Sequence, residues 1–247
     1  MIKIVISGIA GRMGKRIGVL VLKDKDFAIK GALESVDSSF IGKDIGEVLG
    51  AGKMDKKVSS DFGKISDDCD VVIEFTYPDA TIEHLEIARK KKIAIVIGTT
   101  GLSSQDIEKI KEASKDIPIV FSPNMSIGAN LLFKLTEMTS MLLGEDYNVE
   151  ITEVHHAKKK DAPSGTAKRL GEAVSKARGK MPPIESIREG DVVGDHTVIF
   201  TGKEERIELK HSAFSRDTFA RGALNAAKFL KSRKSGFYTM QDVITTS

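Results

Sequence analysis

Between His155 and Thr166 the chain concentrates two imidazoles, three ammonium groups and a turn of small residues: His155-His156-Ala157-Lys158-Lys159-Lys160-Asp161-Ala162-Pro163-Ser164-Gly165-Thr166. Three neighbouring lysines repel one another, and each holds its proton less firmly unless an anion sits among them. Such a run suits a multiply charged acid. Ser164, Gly165 and Thr166 precede an Ala/Leu/Lys-rich segment, 167–177, whose composition predicts a helix. Their backbone N–H groups then stand at a helix N-terminus, which favours a carboxylate or phosphate. Taken singly, the lysines read as a solvated face and Pro-Ser-Gly-Thr as helix-start punctuation. Their crowding into one loop is what points to chemistry.

A second cluster opens the chain. Ile2 to Ile6 is apolar and β-branched apart from Lys3, as a buried parallel strand requires, and it runs into Gly8-Ile9-Ala10-Gly11-Arg12-Met13-Gly14. The amphipathic continuation Ile17, Val19, Leu20, Leu22 predicts a helix. Strand, glycine turn and helix in that order form a dinucleotide pyrophosphate cradle: the glycines let backbone approach the phosphates and the helix N-terminus faces them. The spacing here is GxxGxxG, where GxGxxG is usual. The next apolar run, Phe27 to Leu33, ends at Glu34, about 20 residues past the turn, where an acid accepts hydrogen bonds from the adenosine ribose. Glu34 disfavours a 2′-phosphate, although Arg12 and Lys15 are near enough in sequence to reach round, so NADH is expected to bind and NADPH is allowed.

The elements that must position these clusters alternate. After a Gly-, Lys- and Asp-rich excursion over 41–60, strands are predicted at 71–75, 93–97 and 119–121, with helices at about 79–91 and 103–114. This predicts a doubly wound parallel sheet, whose ligands sit beyond the carboxyl ends of the strands. Gly98, Thr99 and Thr100, and then Ser122, Pro123, Asn124 and Met125, fall on that rim with the first turn and Glu34. Beyond Asn124 the rhythm changes. Leu131, Leu132, Leu135, Met138 and Leu142 predict a helix with that stripe in a core, and 149–156 alternates as a half-buried antiparallel strand. In a regular strand His155 and His156 point to opposite faces, so the strand must end or twist there for both to meet one ligand. Two further strands, 197–200 and 206–211, read as a hairpin around Gly202. A helix is expected over 215–230 with Phe219, Leu224, Ala227 and Leu230 inward, then a terminal tail from Phe237 to Ile244.

Composition narrows the classes. The 247 residues carry a net charge of +3, with lysines and acids interspersed and no basic-aromatic interleaving, which argues against nucleic acid as a partner. One cysteine, Cys69, leaves no disulfide framework and no Cys cluster for zinc, so no metal is expected. The longest uncharged stretch, 117–133, is broken by Pro118, Pro123, Asn124 and Gly128, which argues against a membrane span. A soluble cytoplasmic protein acting on a small acidic molecule is the expectation.

These residues carry a family resemblance. Gly8 to Gly14, Gly98-Thr99-Thr100-Gly101, Asn124 to Gly128 and above all Glu153-Val154-His155-His156 through Thr166-Ala167 resemble the 4-hydroxy-tetrahydrodipicolinate reductases, formerly called dihydrodipicolinate reductases, over essentially the whole chain. The resemblance implies a Rossmann-like α/β nucleotide domain, 1–126 with 216–247, and a smaller α+β substrate and oligomerisation domain, 127–215. It implies NAD(P)H-dependent reduction of the hydroxylated cyclic imine to (S)-tetrahydrodipicolinate with loss of water, in lysine and diaminopimelate biosynthesis, by a homotetramer. By the family's pattern His155 and Lys159 are catalytic. His156, Gly165 and Thr166 touch substrate, and Gly8, Ile9, Ala10, Gly11, Arg12, Met13, Glu34, Gly98 to Thr100 and Ser122 to Met125 touch the nucleotide. Members often carry an arginine after the ribose-binding acid; Ser35 stands there in this chain, which leaves the preference between NADH and NADPH open. Lys159 is favoured as the proton donor, its pKa lowered by Lys158 and Lys160, with His155, titrating near neutrality, polarising or relaying. Two other readings share the glycine turn: another Rossmann-type dehydrogenase of aspartate-derived metabolites, and a non-catalytic NAD(H)-sensing regulator. Neither needs the element from Lys158 to Thr166.

Overall fold

The computed structural model describes residues 1–246. In chain order the strands are β1 (Ile2–Ser7), β2 (Phe27–Leu33), β3 (Val71–Glu74), β4 (Ala94–Ile97), β5 (Pro118–Phe121), β6 (Asn148–His155), β7 (Ile184–Arg188), β8 (Gly194–Thr201), β9 (Arg206–Ala213) and β10 (Gly236–Tyr238). The α-helices are α1 (Arg12–Val21), α2 (Ile45–Leu49), α3 (Phe62–Ile65), α4 (Pro78–Lys91), α5 (Ser104–Ala113), α6 (Ile127–Leu143), α7 (Gly165–Arg178), α8 (Asp217–Leu230) and α9 (Met240–Thr245). Contacts divide the chain into two units, Met1–Met125 with the chain from Phe219 onward, and Ser126–Thr218.

The first unit is a six-stranded parallel sheet in the order β10-β5-β4-β3-β1-β2. Its strands are apolar on both faces because both are covered. Ile4, Ile6, Val71, Ile73, Val96 and Val120 face one core with Ile17, Leu20, Ala223 and Leu230 of α1 and α8. Val5, Val72, Ile95, Ile97 and Ile119 face the other with Leu85 and Ala88 of α4 and Ile110 and Ala113 of α5. The period of two along each strand sorts neighbouring residues into opposite layers. This is a doubly wound, Rossmann-like sheet. The chain runs outward from β1 to β2, then crosses back to β3 on the other side of β1, so the switch point lies between β1 and β3. The expected terminal tail is more than a tail: Gly236–Tyr238 pairs with Pro118–Val120 as the sixth strand, and α9 follows under a Thr239–Asp242 capping box. Three residues with a single glycine were too few for a strand signal. The excursion over 41–60 is pinned by Asp44, whose carboxylate caps α2 and also accepts from the N–H groups of Met54 and Lys56.

The second unit is a mixed four-stranded sheet ordered β7-β6-β8-β9, with β6, β8 and β9 antiparallel and β7 parallel to β6. The β8–β9 hairpin closes where the Gly202 N–H donates to the Glu205 carbonyl at 3.0 Å. On one face lie α6 and α7, whose Leu132, Phe133, Ala167 and Leu170 pack on Ile151, Val198 and Phe200. Strand β7 was not anticipated, since Ile184-Glu185-Ser186-Ile187-Arg188 has too little apolar character to signal a strand. A second expectation fails on α6: only Leu132 of the predicted stripe is buried, while Leu131, Leu135, Met138 and Leu142 are 46%, 38%, 45% and 81% exposed. The face that packs inward carries Ala129, Asn130, Phe133, Thr136 and Ser140 instead. Small and polar residues let the helix lie close to the sheet, so hydropathy misreads its orientation. Among the described residues no helix is long and apolar enough to cross a membrane.

Candidate functional site

In the first unit the predicted rim residues follow the carboxyl ends of β1, β2, β4 and β5. Gly8 has φ +75°, the left-handed region that glycine enters without cost. A Cβ on Gly14 would stand 2.0 Å from the Gly8 carbonyl oxygen, so the first turn of α1 can pack on the glycine turn only without a side chain there. The α1 N-terminus begins after Gly11, which offers no side-chain cap. Glu34 closes the turn from β2: its Oε1 accepts from the Ala10 N–H at 2.6 Å, and the Gly8 N–H donates to the Leu33 carbonyl at 2.9 Å. Toward the other side of the sheet, the Gly98 N–H donates to the Glu74 carbonyl and the Ser122 N–H to the Ile97 carbonyl. Thr99 is buried with its hydroxyl accepting from the Thr76 N–H, Thr100 is exposed, and Ser122 Oγ donates to the Asn124 carbonyl at 2.8 Å. Pro123 is exposed, whereas the Met125 side chain lies in the core, leaving only its backbone to the rim.

In the second unit the alternation of β6 puts Ile151, Glu153 and His155 on its buried face. Glu153 is fully buried and hydrogen-bonded on every side. Arg188 of β7 donates to both oxygens, at 3.0 and 2.8 Å; Ser164 donates its N–H at 3.2 Å; and His155 donates through Nδ1. Burial would raise the Glu153 carboxyl, but Arg188 and then His155 and Ser164 outweigh it and hold the group at about 2. Its charge is fixed at neutral pH. Arg188 also donates to the Asp161 carbonyl at 2.6 Å, so a single ion pair ties the end of β6, the lysine loop and the start of α7 together.

His155 was expected to titrate near neutrality. Its pKa is lowered instead: burial dominates, and the charges of Lys159 and Arg188 add to it, against the opposing Glu153. The imidazole is therefore neutral at pH 7, with Nδ1–H committed to Glu153 and Nε2 lying over Gly194, where a Cβ would meet it at 2.9 Å. His196 packs its ring edge-on against His155 with centroids 5.1 Å apart, shares a hydrogen bond with Ser164 Oγ at 3.1 Å, and is pushed down to about 3 by burial and then by His155. Glu153, His155 and His196 bring one ligand atom each within 4.8 Å of one another, but both Glu153 oxygens are already taken by Arg188. The set reads as an ion-paired hydrogen-bond cluster.

The lysine run is not uncompensated either. Lys159, only 21% exposed, is held by both oxygens of Asp161 at 2.7 and 2.8 Å, while Lys158 and Lys160 are exposed. The strand ends at His155. His156 turns away with its N–H on the Val192 carbonyl, and the Lys159 N–H returns to the His156 carbonyl. Ser164 caps α7 by accepting from the Ala167 N–H at 3.1 Å; Gly165 follows as the first helical residue, exposed and with open space at its Cα. Sequence reasoning missed Arg188, His196, Asp161 and the organising part of Glu153. A carboxylate two residues before His155 on the buried face of an alternating strand was the signal available, because a buried acid requires a partner.

Two family models match the chain, "Dihydrodipicolinate reductase, N-terminus" over residues 2–125 and "Dihydrodipicolinate reductase, C-terminus" over residues 128–244. Among curated relatives, the 4-hydroxy-tetrahydrodipicolinate reductase of Hahella chejuensis is 46% identical and that of Geotalea daltonii 41%, each alignment covering 99% of both chains. Among solved structures, dipicolinate-bound dihydrodipicolinate reductase from Paenisporosarcina sp. TG-14 superposes with a TM-score of 0.84 at 22% identity over 97% of each chain. An amine dehydrogenase from Mycobacterium smegmatis shares the fold at a TM-score of 0.71 and 13% identity, covering 97% of this chain and 95% of its own. By both halves and by full-length relatives above two-fifths identity, the chain belongs to the dihydrodipicolinate reductase family of NAD(P)H-dependent oxidoreductases.

Proposed function

We propose that this protein reduces (2S,4S)-4-hydroxy-2,3,4,5-tetrahydrodipicolinate to (S)-2,3,4,5-tetrahydrodipicolinate with loss of water, using NADH or NADPH, in lysine and diaminopimelate biosynthesis. The observation that carries the reading is the Arg188–Glu153–His155 cluster, which holds a neutral imidazole at the strand end from which the Lys159 loop and the start of α7 both depart. The first unit fits a dinucleotide: Gly8 and Gly14 keep the turn bare, α1 presents an uncapped N-terminus for the pyrophosphate, and Glu34 lies beside that turn to accept from the ribose. Bound nicotinamide supplies the hydride. In this reading Gly8 to Met13, Glu34, Gly98 to Thr100 and Ser122 to Met125 line the nucleotide, with the Met125 contribution coming from backbone.

The substrate is a small dicarboxylate, the class of the dipicolinate bound to the Paenisporosarcina relative. One carboxylate rests on the first turn of α7 at Gly165 and Thr166, and the other near His156 and the lysines. After hydride reaches carbon, a proton must follow. Burial lowers the His155 pKa, which favours the Lys159 ammonium as the proton donor and leaves His155 Nε2 to accept and relay. Asp161 keeps Lys159 oriented until substrate carboxylate competes for it. The exposed apolar residues of α6 are in keeping with assembly of copies, a homotetramer in this reading, in the cytoplasm.

The test is steady-state NADH oxidation coupled to dihydrodipicolinate synthase product, with NADH affinity titrated separately. Lys159→Ala and His155→Ala are expected to lower kcat by about 10²-fold or more and to leave the NADH Kd within about threefold. A parallel loss of NADH affinity in both would overturn the assigned roles.

A further inference from the structure

The first unit contains a buried acid–imidazole pair that the reaction does not use. Glu74, at the carboxyl end of β3, is 0% exposed, and His84, from α4, is 9% exposed. His84 Nδ1 lies 2.7 Å from Glu74 Oε2 and 3.2 Å from the hydroxyl of Ser7, the last residue of β1; its ring stands edge-on to Phe62. Ser7 and Glu74 are register partners, so the pair spans the two strands that form the switch point. The other Glu74 oxygen accepts from the Thr76 hydroxyl. A carboxylate sealed away from water costs several kcal/mol unless both oxygens are satisfied. Here they are satisfied by His84 of α4 and Thr76 of the turn after β3, with Ser7 of β1 bonded in turn to His84.

The consequence falls on Phe75 and Thr76. With its hydroxyl drawn to Glu74 and its N–H on Thr99 Oγ1 at 3.2 Å, Thr76 presents its methyl to the glycine turn: a Cβ on Gly8 would meet Thr76 Cγ2 at 3.2 Å and the Phe75 carbonyl at 3.0 Å. The Phe75 ring fills the space over Gly98, where a Cβ would fall 2.3 Å from it. Thr81 completes the set, hydrogen-bonded to Thr99 at 2.9 Å and to the Tyr77 carbonyl at 3.0 Å. Phe75 and Thr76, in the turn between β3 and α4, thus form the wall against which both glycine turns, at Gly8 and at Gly98, are moulded.

We propose that Glu74 and His84 are positioning residues for the nucleotide: by fixing Thr76 they set the shape of the Gly8 and Gly98 turns, and they act on cofactor affinity and not on proton delivery. This rests on the reading that these turns bind reduced nucleotide. In the full-length protein, Glu74→Ala and His84→Leu are expected to raise the NADH Kd and KM by about tenfold or more, the usual cost of a lost buried hydrogen-bond partner, while kcat at saturating NADH stays within about threefold. Glu74→Gln keeps an acceptor for Thr76 and His84→Asn keeps an N–H where Nδ1 stands, so both are expected to restore affinity. Thr76→Val, which removes only the hydroxyl at nearly constant shape, serves if the other variants do not fold, and should also weaken NADH. Variants that lower the melting temperature yet bind NADH as the wild type does would overturn the proposal, because a purely structural pair moves stability alone. A wild-type protein with affinity for neither NADH nor NADPH would sink the nucleotide reading itself, which separates that failure from this one.

Discussion

Gly194→Ala probes the placement of His155 without touching its chemistry. Gly194 begins β8 and follows in register from the Val154–Asp195 pair, directly across from His155. Its φ lies outside the left-handed region, so alanine adds no backbone strain and the whole effect is contact. The new methyl would stand 2.9 Å from His155 Nε2, 3.3 Å from Cδ2 and 3.5 Å from His196 Cε1. Restoring an ordinary separation of about 3.5 Å requires the ring to move by about 0.6 Å. The ring has little freedom to do so, with Nδ1 held by Glu153 and its face against His196. A misplacement of 1 Å at a reacting group costs up to about 10²-fold, so a shift of half that size is worth about tenfold in kcat, or about 1.4 kcal/mol. Overpacking should lower stability by about 1–3 kcal/mol. The assay is kcat and KM from NADH oxidation, with an NADH titration and a thermal melt on the same sample; kcat is expected to fall and the NADH Kd to stay put. A folded Gly194→Ala protein with wild-type kcat would remove His155 Nε2 from the reaction path.

Glu153→Gln leaves the Arg188 guanidinium beside a neutral amide and should cost about 3–5 kcal/mol in stability at pH 7, as breaking a buried pair does, together with a large fall in kcat. The wild-type carboxyl, at about 2 when folded against 4.5 ordinarily, is favoured by about 3 kcal/mol above pH 4.5, a contribution that declines as pH falls toward 2. Denaturant melts across that window should show the wild-type advantage over Glu153→Gln shrinking with acid, and a pH-independent gap would refute it. Cys69, whose thiol burial pushes up to about 12, should stay protonated and resist iodoacetamide at pH 8 in the folded protein; rapid labelling with loss of activity would contradict that placement.

Sequence periodicity and turn chemistry alone determined much of this protein. Runs rich in β-branched residues at 2–6, 71–75 and 93–97 fit strands covered on both faces. The Gly8 turn is legible because positive φ and close approach both demand glycine, and the Ser164 cap because its hydroxyl serves the helix three residues on. The loop from His155 to Thr166 was visible as a concentration of charge. Tertiary structure decided what that charge does. Arg188 lies 35 residues from Glu153 and His196 41 from His155, on strands β7 and β8, and no local pattern announces that a pairing register will bring them together. The same holds for Asp161, which turns a self-repelling lysine run into an oriented ion pair, and for burial, which lowers the His155 pKa below its ordinary value. Local sequence encodes the shape of each segment because backbone sterics and hydrophobic period act over a few residues. Ionisation, hydrogen-bond partners and the inward face of α6 depend on what the folded chain stacks against them.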